Sequence, residues 1–368
     1  MQAKAALALR NESPLVLETV SLAEPGVGEV LVRLVASGLC HTDISVMDAM
    51  PLPWPAILGH EGAGIVEAVG SGVTGISPGQ HVVLTTASCG ACKTCASGDP
   101  SYCMNFQALN LSGGYRQDGS CTHTHAGAPV FARFLGQSSF ATHLLADQSS
   151  VIPVASDLPL EIVAPFGCGI QTGAGAVFNT LGPSNGSSIA IVGAGAVGLS
   201  AVMAAAIVGC STIIAVDKNP DRLAIAREVG ATHIVDVTDG DPVEAVRGIT
   251  GRGVDYAVEA SGIGAVMTQA VQMLGPRGTA ALVGVTHDAT IAIPVTALQA
   301  GGQTIKGSLM AGGGVRPREF VAKLIDYWRE GRLPVERMIR HYPFDRINDA
   351  IADAKSGVAI KPVLRISE

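Results

Sequence analysis

The sequence is short of charge. Only 15% of its 368 residues are Asp, Glu, Lys or Arg, while 48% are hydrophobic. That balance excludes intrinsic disorder, which needs low hydrophobicity and high net charge. Basic residues are the scarcer sign, 24 against 31 acidic. A nucleic-acid footprint needs a basic face, so no nucleic-acid partner is expected. The shortage is sharpest between Glu161 and Asp217, where 55 consecutive residues carry no formal charge. About 20 unbroken apolar residues would suggest a membrane span. An unbroken run is also missing, because Gly193, Gly195, Gly198 and Gly209 interrupt Ile189 to Val216. No basic cluster flanks the segment as a topology signal would. Met1 to Arg10 lacks the basic start and long apolar core of an export signal. The expectation is a cytoplasmic chain with no membrane partner, of a length that suits two or three domains.

What is abundant is glycine, 45 residues, well above the usual roughly 7%. Residues 1 to about 85 read as short strands between glycines, with Glu29–Val35, Gly64–Val69 and His81–Leu84 the clearest. Residues 86 to 135 are loop-rich and include a Gly/Ser/Thr/His stretch, Ser112 to His125. From 188 to 307 the pattern alternates. Ile189–Val192, Thr212–Val216, His233–Val237, Asp255–Glu259 and Thr279–Val285 are strand candidates. Ala196–Val208, Arg222–Val229, Pro242–Thr250 and Ala265–Leu274 are helices between them. That alternation predicts an α/β fold with a doubly wound parallel sheet. A helix over Phe320–Gly331 and a closing strand over Lys361–Ile366 follow. No repeat of 20–50 residues is present.

Gly193-Ala194-Gly195-Ala196-Val197-Gly198 matches G-x-G-x-x-G in a telling context. It follows an apolar strand and opens a helix, and Asp217 ends the next strand 19 residues after Gly198. Gly193 permits the tight turn, Gly195 lets the backbone approach a pyrophosphate, and Gly198 lets helix and strand pack closely. The unpaired N–H groups that open the helix, from Ala196 and Val197 on, suit a phosphate. A carboxylate at Asp217 would accept from ribose hydroxyls and repel a 2′-phosphate, which favours NAD over NADP.

Eight cysteines in a long chain without an export signal point to metal or catalysis rather than disulfides. Cys89, Cys92, Cys95 and Cys103 fall within fifteen residues. Four thiolates suit a closed, structural zinc site. An iron–sulfur cluster or buried thiols are the alternatives by ligand type. A second set is dispersed: Cys40-His41-Thr42-Asp43, Gly59-His60-Glu61 and Cys168. Read singly, each has an ordinary explanation, and Thr42 and Asp43 could simply cap a helix after Cys40. Together Cys40, His60 and Cys168 offer two thiolates and an imidazole, a set that leaves a fourth metal position open for chemistry.

Here the sequence resembles the zinc-dependent medium-chain alcohol dehydrogenases, and most of all their aryl (benzyl) alcohol subgroup. Gly59-His60-Glu61-x2-Gly64-x5-Gly70-x2-Val73 is similar to the family's zinc signature, and the four-cysteine lobe, Cys168 and the glycine fingerprint follow in family order. The resemblance covers essentially the whole chain. It implies a GroES-like, mainly-β catalytic domain (1–170 and 310–368, with a structural zinc lobe at 86–105) and a Rossmann-type NAD domain (171–309). It implies two zinc ions per chain, the catalytic one on Cys40, His60 and Cys168. Asp43 would orient His60, Glu61 would sit behind the metal, and Thr42 would take the alcohol proton. His41 and Lys361 would lie near the cofactor pyrophosphate, Arg222 near the adenosine ribose, and Thr172 and Val285 near the nicotinamide. Hydride would then pass from a zinc-bound alkoxide to NAD. One departure stands out: Ser45 occupies a position where many relatives carry a proton-relay histidine, so His41, or the ribose and water, would have to serve.

Thr85, Phe134, Leu135 and Val285 align with pocket-lining positions. A small Thr85 leaves room for a bulky group, and Phe134 and Leu135 supply an apolar wall. Benzyl-type or allylic, terpene-like primary alcohols, interconverted with aldehydes, are the expected substrates. The segment Gly113–Ala132 and Phe134–Phe140 also resembles glutathione-dependent formaldehyde dehydrogenases, the alternative within the class. A homodimer or homotetramer formed through the apolar edge at Val285–Gly307 is implied as well.

Overall fold

Strand β1, Glu29–Gly38, sits at the middle of the first unit. Its Val30, Val32, Leu34 and Ala36 alternate into the interior, as a period-two pattern requires. Helix α1, His41–Ala49, leaves its end, and strand β2, Glu61–Val69, returns antiparallel beside it. The register pairs Gly38 with Glu61 on one side and with Val363 of the last strand, Lys361–Arg365, on the other. Three distant stretches of sequence therefore meet where β1 ends. The computed structural model describes residues 1–49, 55–111, 113–116 and 118–367; Ser112 and Gln117 of the 112–125 stretch lie outside them.

The chain divides into two units, the first formed by Met1–Cys168 and everything from Ile339 onward. Among the described residues its strands form a seven-stranded sheet around β1 and a separate five-stranded sheet. At the start of β1, Arg116 and Arg133 clamp the buried Glu29, with nitrogen–oxygen distances of 2.7 and 3.2 Å. His123 is buried beside them, its Nδ1 2.9 Å from Thr122 Oγ1. Burial, then the Arg133 charge, pushes its pKa down from 6.5 to about 4, against some pull from Glu29. Between those values the unfolded chain binds a proton that the folded chain refuses. Stability is therefore full above pH 6.5 and falls as the pH drops toward 4, by on the order of 3 kcal/mol in total. His123→Gln should flatten the dependence of melting temperature on pH across that window; parallel curves for variant and parent would refute the assignment.

The second unit, Gly169–Met338, contains β3 (Ser188–Val192), α2 (Ala196–Val208), β4 (Thr212–Asp217), β5 (His233–Asp236), β6 (Val254–Glu259), β7 (Leu274–Leu282) and β8 (Thr304–Gly307). All strand pairs are parallel, in the order β5-β4-β3-β6-β7-β8. Strand order reverses between β3 and β6, the place where such sheets bind ligands at their carboxyl ends. The charge-free stretch is accounted for here. Every residue of the helix Gly169–Gly175 is buried, as are Ile189–Val192 of β3 and Ile213–Val216 of β4, and parallel strands are covered on both faces.

Two expectations need correction. Residues 310–338 belong to the second unit, not the first. Helix α3, Pro317–Arg329, buries Phe320, Val321, Leu324 and Ile325. Its Phe320 and Tyr327 rings contact Phe178 of the second unit at centroid distances of 6.2 and 5.7 Å. An amphipathic helix goes where its apolar face is covered, and sequence alone does not name the covering surface. The strand expected over Thr279–Val285 runs instead from Leu274 to Leu282, with Leu274 paired to Val254 across a register shift. It stops early because the Val283 and Gly284 amides turn back to the Glu259 carbonyl. No helix among the described residues is long and apolar enough to cross a membrane.

Candidate active site and metal centres

The ligand atoms of Cys40, His60 and Cys168 lie within 4.8 Å of one another, all in the first unit. Cys40 precedes α1, His60 precedes β2, and Cys168 ends the turn Ala164–Gly167. The β1–β2 pairing brings the first two together. Asp43 then fixes His60. Its Oδ1 accepts from His60 Nδ1 at 2.8 Å and from the Gly59 amide at 3.0 Å, while Oδ2 accepts from the Cys40 amide at 3.0 Å. The last bond caps α1, so Asp43 serves both the capping reading and the orienting one. A carboxylate on Nδ1 makes that nitrogen the donor and leaves Nε2 its lone pair. Nε2 is buried and has no hydrogen-bond partner.

An orphaned imidazole nitrogen facing two thiols is the donor set of a zinc site. The local electrostatics agree. Burial works against charge on His60, yet Asp43 and then Cys40 raise its pKa well above the ordinary value. Hydrogen bonding from Cys168, ahead of the His60 charge and against burial, lowers Cys40 well below the usual thiol range. The Cys168 thiol is driven up, first by Cys40 and then by burial. Groups that favour positive charge at this point are of the kind that suit a divalent cation. Thr42 Oγ1 lies 3.7 Å from Cys40 Sγ, half-buried, and His41 is exposed at the start of α1. Ser45 is buried on the same helix.

Behind this set Glu61 and Lys361 form a buried ion pair. Lys361 Nζ donates to both Glu61 oxygens at 2.9 Å and to the Leu39 carbonyl at 3.2 Å. Lys361 is only 2% exposed. Its expected place at a pyrophosphate is therefore corrected: its three protons are already committed to Glu61 and Leu39 beneath the cysteines. Phe134 is buried and meets the His60 ring edge-on, 5.6 Å between centroids. Leu135 is half-buried beside it, in the left-handed region at φ 49°. Thr85 is buried, its hydroxyl donating to the Gly167 carbonyl at 2.9 Å.

The sulfurs of Cys89, Cys92, Cys95 and Cys103 also lie within 4.8 Å of one another. Backbone amides converge on them: Cys89 N donates to Cys103 Sγ at 3.4 Å, Cys92 N to Cys89 Sγ at 3.3 Å and Met104 N to Cys92 Sγ at 3.4 Å. The Thr94 hydroxyl, followed by backbone amides, lowers Cys92 to about 5, while burial and the neighbouring thiols push Cys95 up to about 12. Four thiols this close cannot all ionise without a shared cation, so the set suits a closed metal site.

In the second unit Gly193 turns at φ +96°, and a Cβ on Gly198 would meet the Gly193 carbonyl oxygen at 1.7 Å. The motif thus packs α2 directly onto the turn. Ala196, Val197 and Gly198 form the first turn of α2, whose leading amides have no partner within the helix. Asp217 ends β4, its Oδ2 accepting from the Ala194 amide at 2.6 Å and its Oδ1 from the Asn219 amide at 2.9 Å. It braces the glycine turn. Arg222 is half-buried, with Nε lacking a partner. A cavity of about 470 Å³ opens at the carboxyl ends of β3 and β4, lined by Val192, Val216, Val237, Asp241, Val266 and Gln269. Thr172 is buried with Oγ1 3.9 Å from Met310 Sδ, and Val285 is exposed.

Known proteins match this arrangement along its whole length. The alcohol dehydrogenase GroES-like domain matches residues 26–156 and the zinc-binding dehydrogenase family matches 196–327. The geraniol dehydrogenase of Castellaniella defragrans is 41% identical over 366 residues, 99% of this chain and 98% of that one. The chain belongs to the zinc-binding alcohol dehydrogenase family. Among solved structures, the benzyl alcohol dehydrogenase of Acinetobacter calcoaceticus superposes with TM-score 0.95 at 40% identity, covering all of both chains. An alcohol dehydrogenase zinc-binding domain protein of Burkholderia ambifaria does so with 0.96 at 47%, again over all of both. The medium-chain dehydrogenase fold, with its GroES-like domain and Rossmann-type sheet, follows.

Two residues of this dehydrogenase escape the sequence reading. Glu259 is buried at the end of β6, where it accepts from the Ser261 and Gly262 amides at 2.7 and 3.1 Å. Gln137 is buried against the main chain at His60. Neither falls in a spacing pattern, and a lone Glu or Gln carries no signal until its partners are known.

Proposed function

We propose that this enzyme oxidises aromatic (benzyl-type) or allylic, terpene-like primary alcohols reversibly to aldehydes, using NAD and two zinc ions per chain. Cys40, His60 and Cys168 would hold the catalytic ion; Cys89, Cys92, Cys95 and Cys103 the structural one. The observation that carries the metal reading is the buried, unpartnered His60 Nε2 aimed at two thiols. Zinc there supplies a Lewis acid that lowers an alcohol's pKa toward neutrality, and NAD supplies the hydride acceptor. The chain does the rest. Asp43 holds the His60 tautomer, and Thr42 Oγ1 receives the alcohol proton for release to solvent. Phe134 and Leu135 form the apolar wall, while Thr85, small and tied back to Gly167, leaves room. Thr172 and Val285 serve the nicotinamide half, and Arg222 the adenosine half. The Asp217 carboxylate at the end of β4 supports NAD, because it would repel a 2′-phosphate.

The names of the full-length relatives at 40 and 41% identity support the substrate class. The glutathione-dependent alternative needs basic groups for the tripeptide carboxylates, and the two arginines at the segment that resembles those enzymes, Arg116 and Arg133, are paired with Glu29; an assay with glutathione and formaldehyde tests it. A homodimer or homotetramer through the exposed edge at β8, near Val285, Val295 and Leu298, is part of the proposal. So are a cytoplasmic location and no partner beyond the alcohol and aldehyde. Steady-state assays with NAD decide the central point: kcat/KM for benzyl alcohol or geraniol should exceed that for ethanol. The reverse order would overturn the substrate class.

A further inference from the structure

We infer that Gln137 is a positioning residue, whose side-chain amide holds the main chain at His60 and so sets where the imidazole Nε2 stands between the two thiols. This rests on Cys40, His60 and Cys168 being the catalytic metal ligands.

The geometry is specific. Gln137 is 0% exposed. Its Oε1 accepts from the Gly62 amide at 2.9 Å and its Nε2 donates to the His60 carbonyl at 2.8 Å. The donor faces a carbonyl and the acceptor faces an N–H, so the partners fix the amide's orientation. One side chain thus spans the start of β2, from the carbonyl of the ligand residue to the amide two residues on. Asp43 controls the ring and the Gly59 amide from the other side. The ligand is gripped on its ring, before it and after it.

The segment that delivers Gln137 is costly to build. Arg133, Leu135 and Ser138 all sit at positive φ, 61°, 49° and 60°, a region that disfavours side chains with a Cβ. Bonds from the same segment offset the strain. Ser138 Oγ donates to the Ile57 carbonyl at 2.6 Å and accepts from the Phe134 amide at 2.8 Å. The Ser139 amide donates to the Gly59 carbonyl at 2.8 Å and the Phe140 amide to Leu58 at 3.0 Å. At Gly59 and Gly62 the segment lies so near that a Cβ would approach Phe140 at 2.5 Å and Ser139 at 2.9 Å. Strained backbone, glycine contacts and a buried amide all converge on one residue, and that residue is His60. A purely apolar filler at 137 would leave the His60 carbonyl and the Gly62 amide buried and unpaired.

Cobalt-substituted holoenzyme provides the test. Its visible bands report the geometry of the thiolate–imidazole site. Gln137→Leu should shift those bands and speed metal release to a chelator by roughly tenfold or more, in line with the 10–100-fold effects of groups that orient metal ligands. Release from the four-cysteine lobe should not change. Gln137→Glu keeps the acceptor for Gly62 and, while burial holds it neutral, an O–H donor for the His60 carbonyl. Measured against the parent at each pH, its bands and release should stay near the parent at low pH and move toward the Leu variant as the carboxyl ionises. If the Leu variant does not fold, the Glu variant still reads the His60 bond. A variant with a lower melting temperature but unchanged bands and unchanged release overturns the inference and leaves the metal site standing. A parent that takes up metal only at the four-cysteine lobe overturns both.

Discussion

Cys168→Ala is expected to leave one zinc per chain and to lower kcat/KM by on the order of 10³ or more. That factor corresponds to about 4 kcal/mol of lost transition-state stabilisation, within the range a Lewis-acid metal supplies. Cys168 is buried, and its thiol is one of three protein donors that meet there among the described residues. Two donors rarely hold zinc in an open site. The backbone has little reason to move, because the turn before Cys168 is closed by its own amide to the Pro165 carbonyl at 3.2 Å. Metal analysis and steady-state kinetics on the same preparation check the point. Two zincs per chain with activity within tenfold of the parent would remove Cys168 from the site.

Lys361→Met is expected to destabilise the first unit by about 3–5 kcal/mol, the usual cost of stranding one member of a buried ion pair. Burial already raises the Glu61 pKa, with Lys361 pulling against it, and Glu61 in turn keeps the buried Lys361 charged. Without the ammonium, Glu61 has one cheap recourse, which is to keep a proton. The folded variant would then bind that proton more tightly than the unfolded chain does. Its stability should be best at low pH and should fall as the pH climbs above the ordinary carboxyl value of 4.5. Urea unfolding at pH 5 and pH 8 should show a larger loss at pH 8. The double variant Glu61→Gln/Lys361→Met should recover most of it, since no charge is then buried. A loss under about 1 kcal/mol at both pH values would mean that the pair is not desolvated as it stands here.

These outcomes trace back to different levels of the chain. The glycine fingerprint was legible because its physics is local: a positive φ at Gly193, and at Gly198 a carbonyl 1.7 Å from any Cβ, follow from one turn. The four-cysteine lobe was legible for the same reason, since fifteen residues of chain can close on one ion without help from elsewhere. Helices Ala196–Val208 and Pro242–Thr250 match their sequence patterns to the residue. The role of Lys361 was not legible. Only the pairing of the last strand with β1 puts it beside Glu61, 300 positions away.

By itself, then, the sequence determined the units of local geometry: the parallel-sheet alternation, the glycine turn, the zinc-type cysteine cluster and the absence of an unbroken apolar span. Only the tertiary structure decided which distant side chains share a pocket. It brought Cys40, His60 and Cys168 together, gave residues 310–338 to the second unit, buried Lys361 against Glu61, and set Gln137 at the His60 main chain. The reason is that backbone preferences act over a few residues, whereas a buried charge or amide is defined by whichever partner the folded chain brings to it.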